Sequence, residues 1–146
     1  MKKAILFFLF FGLLSCQKKG DAPKEEKCAP VKEKKLEMYQ MSEMAALMEQ
    51  MYVDNLRLKK RILKGEPVGE FPDYFLKIHT AKFTDESDND AFFKENAALY
   101  IMAQKLIYSD LTNAKKHFDE GVDACLNCHL KKCGGPIPRI KKLYIE

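Results

Sequence analysis

Cys125, Cys128 and His129 stand in a C-x-x-C-H spacing inside VDACLNCHLKKCGGP, residues 122–136, with a further thiol, Cys133, four residues beyond the histidine. Three chemistries use such residues. Two thiols three apart on a helix can each add across a vinyl group of one haem, while the imidazole of the next residue is held at the iron. Zinc needs four ligands, and the usual second pair is missing: the other histidines are His79 and His117, the latter three turns away on the same helix. A thioredoxin-like dithiol sits at a helix N-terminus in a βαβ context, where the dipole lowers the thiol pKa. Chance produces C-x-x-C-H in a chain of this length on the order of once in a thousand sequences at ordinary residue frequencies. The spacing therefore points to one covalently bound haem c, with Cys125 and Cys128 as thioether sites and His129 as axial ligand.

The elements that must position this motif read as helices, and no segment alternates as a half-buried strand would. Over residues 36–64, Met44, Met48, Met51, Leu58 and Ile62 recur at steps of three, four and seven, giving one long amphipathic helix. Gly65, Pro67 and Gly69 in KGEPVGEFP stop it, and Pro72 can open a shorter second helix over 73 to 83 that buries Phe75, Leu76 and Ile78. TDESDND is a polar break that offers Ser87 or Asp88 as an N-cap. A third helix, 89–108, is expected to bury Phe92, Leu99, Ala103 and Leu106. Ser109 or Asp110 can cap a fourth, which Gly134 and Gly135 end. On that helix Leu111, Phe118, Val122, Cys125 and His129 share one stripe, so the apolar face leads into the motif. Four helices with short polar links predict an all-α, antiparallel up-down-up-down four-helix bundle, an architecture that builds cofactor sites between facing helices.

The chain has the length of one domain, 146 residues, and 47% hydrophobic with 32% charged residues is a globular composition. MKKAILFFLFFGLLSC opens with two lysines and eleven uncharged, mostly bulky residues, too few for a membrane span. It reads as a secretory leader over residues 1–15. Its loss takes Lys2 and Lys3 and lowers the net charge from +4 to +2, too little to suggest nucleic acid. Leu13, Leu14, Ser15 and Cys16 resemble the lipobox of bacterial lipoproteins, which implies acylation of Cys16 and a membrane anchor on the exported, periplasmic or cell-envelope side. Residues 16–35 are rich in Lys and Glu and carry few large apolar groups, the composition of a flexible tether to the bundle of 36–133.

The C-x-x-C-H near the end of the fourth helix, the methionine-rich first helix and the KGEP break resemble the cytochrome c-prime group of four-helix-bundle c-type cytochromes, over about residues 36–133. The resemblance implies a haem between helices with a helix-one residue facing its open side. Some members of the group place a methionine there; others leave the position empty and bind small gases. Of Met44, Met48 and Met51, Met48 falls nearest that place measured back from Gly65, with Met44 next; packing is the plain role of such a stripe, and His79 is a weaker rival.

Axial ligation decides the expected function. A His129 and Met48 pair saturates the iron, raises its potential and suits a one-electron carrier. His129 alone, beneath an apolar wall, suits binding of NO or CO. No residue is a convincing distal acid or base for peroxide or O₂ chemistry, so an enzyme is not expected. A lipid-anchored structural or binding protein whose thiols form disulfides is the reading without haem, and it predicts a colourless protein. Cys28 precedes helix one and Cys133 closes helix four, at the same end of such a bundle, so a disulfide between them is open, beside free thiols or an intermolecular bond. Lys131, Lys132, Arg139, Lys141 and Lys142 are read as a solvated basic run, with steering of an acidic redox partner as the rival. Ile137, Ile140, Leu143 and Ile145 of the 134–146 tail should fold back on the bundle, in no assigned position. The redox partner is undefined, and the resemblance leaves open a homodimer through the first helices.

Overall fold

The computed structural model describes residues 40–146. The expected leader (1–15), Cys16 with its expected acylation, the expected tether (16–35) and Cys28 lie outside the described residues, and with them one half of any Cys28 to Cys133 bridge. The described part is all-α: helices α1 (Glu43–Lys64), α2 (Ala91–Ser109), α3 (Ala114–Lys132) and α4 (Ile137–Lys141) pack together with three 3₁₀ segments, and there is no strand among the described residues.

Helix α1 starts later than the periodicity alone suggests because Ser42 supplies a cap: its Oγ accepts the Ala45 N–H at 3.2 Å. At the other end Gly65 takes φ 64, and its N–H reaches back to the carbonyls of Arg61 and Ile62. Met44, Leu47, Met51, Asn55 and Leu58 are buried along α1, while Met48 and Ile62 are partly exposed.

Three details differ from the sequence expectation. The second helix is a seven-residue 3₁₀ helix, Asp73–His79, in which Phe75 and Ile78 are buried and Leu76 is exposed. Three residues per turn bring positions i and i+3 into line, so Phe75 and Ile78 point together into the core while Leu76 turns out. On α2 the buried residues are Phe93, Asn96, Ala97, Tyr100, Ile101, Ala103, Gln104 and Ile107, whereas Leu99 is exposed and Phe92 and Leu106 only partly covered. Large apolar residues, Leu99 and Met102 among them, also lie on the exposed side of this helix, and polar Asn96 and Gln104 lie on the buried one, so period alone does not choose its face. A Cβ on Gly121 of α3 would lie 3.7 Å from Ala103 and 3.8 Å from Tyr100, so Gly121 and Ala103 let α2 and α3 approach closely. Leu111 sits exposed in the 3₁₀ turn Leu111–Asn113 ahead of α3 and does not belong to the buried stripe.

The caps also shift. Asp90 caps α2, its Oδ1 accepting the Phe93 N–H at 2.9 Å, and α3 ends at Cys133 in extended conformation rather than at a left-handed glycine. Lys132 at the end of α3 pairs with Asp90 at 2.6 Å, which sets the end of α3 beside the start of α2. The α2 and α3 pair packs along its length, whereas α1 comes near α3 in few places. The tail is packed: Ile140, Leu143 and Ile145 are buried against Leu58, Phe118 and Val122.

Candidate cofactor site

Gly121 and Ala103 let α2 and α3 approach closely, whereas α1 comes near α3 in few places. The space between α1 and α3 contains three adjoining cavities of about 70, 30 and 420 Å³. Met48 and His129 line all three. Cys125 lines the two smaller, Cys128 lines the second and the largest, and Met44 lines only the largest. The final two turns of α3 thus present Cys125, Cys128 and His129 to the same gap, as expected from a helix whose spacing of three and four keeps those positions on one side.

His129 is oriented by its own helix end. Its Nδ1 lies 3.0 Å from the Cys133 carbonyl oxygen, which has no proton to give, so Nδ1 carries the hydrogen and Nε2 keeps the lone pair of the neutral ring. An imidazole tethered through Nδ1 to a backbone carbonyl is in the tautomer that metal-binding histidines use. The Cys133 N–H in turn donates to the His129 carbonyl at 3.2 Å, so the non-glycine end of α3 has a local role.

The surroundings of the thiols favour neither a redox dithiol nor a protein-held zinc ion. Burial pushes Cys125 up to about 12, which keeps it protonated where a redox dithiol needs a thiolate. Cys128 is also raised, again chiefly by burial. Among the described residues no three His, Cys, Asp or Glu side chains converge as a protein-held zinc ion requires. Haem iron makes no such demand, because the porphyrin supplies four of its ligands and the protein one or two. The residues present fit a haem: two thiols and a tautomer-fixed imidazole on α3, a thioether on α1, and a largest cavity within the range of about 300–1,000 Å³ usual for small-molecule sites. Phe83 and Phe93, packed edge to face with centroids 4.7 Å apart, supply apolar wall to that cavity.

His79 is exposed and lines none of these three cavities. His117 is buried at the start of α3, with Nε2 3.1 Å from Asp110 and Nδ1 3.0 Å from Glu120. Those bonds, to Asp110 first and Glu120 second, raise its pKa. Its place is that of a structural clamp.

Several wall residues escaped the sequence reading. Tyr100, 2% exposed, lines both smaller cavities, and its hydroxyl oxygen accepts from Asn55 Nδ2 at 2.8 Å. Asn55 Nδ2 also donates to the Met51 carbonyl at 2.8 Å, and its Oδ1 accepts from Gln104 Nε2 at 2.8 Å. An asparagine and a glutamine on the inner stripes of α1 and α2 were the available signal. Arg139, in the tail, lines the first cavity and forks onto Glu49 at 2.6 and 2.9 Å.

The basic run is largely engaged within the chain. Lys131 lies 4.1 Å from the Phe92 ring centre, Lys132 pairs with Asp88 and Asp90, and Arg139 pairs with Glu49, while Lys141 and Lys142 are exposed.

No protein-family model, curated protein or solved structure matches the chain. Among the described residues no helix is long and apolar enough to cross a membrane.

Proposed function

We propose that the chain is a lipid-anchored, exported mono-haem c-type cytochrome that carries single electrons, built as an antiparallel four-helix bundle of the c-prime kind. One observation carries the reading: Met48 of α1 and His129 of α3 line all three cavities of a gap whose α3 wall also bears Cys125 and Cys128. Haem bound there supplies an Fe(III)/Fe(II) couple. Cys125 and Cys128 hold it through sulfur, and His129 offers Nε2 to the iron because Nδ1 is committed to the Cys133 carbonyl. Met48 is the candidate sixth ligand; it lines every cavity of the gap, whereas Met44 lines one. A thioether in that place raises the potential and closes the iron to exogenous ligands, which suits outer-sphere transfer rather than catalysis.

The apolar wall of Phe83 and Phe93 supports one rival, a five-coordinate protein that takes up NO or CO in preference to water. Visible spectra of protein matured in a host with a haem-ligation pathway separate the readings. A low-spin pigment with one covalent haem per chain, unchanged by carbon monoxide, supports the carrier. A high-spin pigment that shifts with the gas supports the rival. Colourless protein whose mass lacks a porphyrin refutes both and leaves a structural or binding lipoprotein.

A further inference from the structure

The C-terminal segment joins two helices that otherwise scarcely touch. On the α1 side, the Arg139 guanidinium holds both carboxylate oxygens of Glu49, at 2.6 and 2.9 Å, and lies 4.2 Å from the Tyr52 ring centre. Two turns further along, Lys59 Nζ donates to the Lys142 carbonyl at 3.0 Å and to that of Tyr144. On the α3 side, the Ile145 N–H donates to Asp119 at 2.9 Å and the Tyr144 hydroxyl to Asp123. Ile140, Leu143 and Ile145 are buried between Leu58 of α1 and Phe118 and Val122 of α3.

We infer that this segment sets the spacing of α1 from α3, and that Arg139 is a positioning residue for Met48, presenting its thioether across the gap from His129. Glu49 is the neighbour of Met48 in sequence, and Arg139, Met48, Cys125 and His129 line one cavity. The first turn of α1 is anchored separately, by the Met44 N–H on the Lys82 carbonyl at 2.9 Å and by Glu43 on the Lys82 N–H at 3.1 Å. Loss of the Arg139 and Glu49 clasp therefore loosens the second turn of α1, where Met48 sits one turn beyond that anchored start and ahead of the buried bonds from Asn55 to Tyr100 and Gln104. A bidentate fork matters here because it fixes direction as well as distance.

The inference rests on the haem reading, and the test separates the two. Pigmented full-length protein is compared with Arg139→Gln, Glu49→Gln, their double variant and Arg139→Lys, reading the fraction that binds carbon monoxide and the reduction potential. Each single Gln variant should raise the carbon monoxide-reactive fraction by roughly three- to fivefold, the shift a well-formed exposed pair can carry, and lower the potential. The double should do no more than the stronger single, and Arg139→Lys should fall between it and the parent. Pigmented variants with an unchanged reactive fraction overturn the inference alone, even if all are less stable. A parent that already binds the gas stoichiometrically also overturns it and favours the gas-binding reading; a colourless parent removes the haem reading and this inference together.

Discussion

Replacing Asn55 by leucine should destabilise the protein more than replacing the glutamine it touches, and replacing both should recover about half of the loss. Asn55 is 4% exposed and spends its whole amide inside, on the Met51 carbonyl, the Tyr100 oxygen and Gln104 Nε2. Asn55→Leu strands the Gln104 NH₂, whose Oε1 is already buried without a partner, leaving a 1%-exposed amide with no hydrogen bond. An unsatisfied buried polar group costs about 1–3 kcal/mol, so with the Tyr100 oxygen also losing its donor the change should cost about 2–4 kcal/mol of a total of about 5–15. Gln104→Met removes the partnerless Oε1 together with Nε2 and leaves Asn55 its two donor bonds, but it takes the donor from the buried Asn55 Oδ1, for a cost at the lower end of about 1–3 kcal/mol. The double variant strands neither amide, so it should be more stable than Asn55→Leu alone by about 1–2 kcal/mol. Urea unfolding followed by circular dichroism, with equal slopes across the set, measures the cycle. A double variant less stable than Asn55→Leu would show that the amides contribute by packing and not by mutual satisfaction.

Met48→Ala should turn a low-spin pigment into one that binds carbon monoxide, whereas Met44→Ala should cost stability by opening a cavity and leave the spectrum unchanged; visible spectra with and without the gas check both. The clamp at His117 makes a pH prediction. Asp110 and Glu120 raise its pKa above the ordinary 6.5, so its stabilisation is complete below that value and fades as pH rises through the folded-state value. His117→Gln should flatten that decline in a series of thermal midpoints. Gly65→Ala should cost about 1 kcal/mol from left-handed backbone alone, because a Cβ there meets nothing within 4 Å at φ 64; a loss of tertiary packing in the near-ultraviolet spectrum would contradict that cause.

How much was legible depends on whether a residue acts along its own helix or across to another. The motif acts along α3, so spacing alone put Cys125, Cys128 and His129 on one wall, and the same logic put Met48 on the inner side of α1. The buried face of α2 was not legible, because Leu99 and Met102 compete with Tyr100 and Ile101 in apolar character; only the nearness of Gly121 and Ala103 decides between them. The 3₁₀ geometry of Asp73–His79 was equally hidden, since a Phe and an Ile three apart fit either helix type for two turns. The tail shows the limit most clearly. Its charges look like a solvated run in sequence, yet Arg139 and Glu49 are separated by ninety positions and become a pair only once α1 and α3 stand apart. That separation is what a flat cofactor between helices requires, and it removes the direct contacts that would otherwise fix α1. A protein that opens such a gap needs some other element to hold its far wall, and the segment after Gly135 occupies that place.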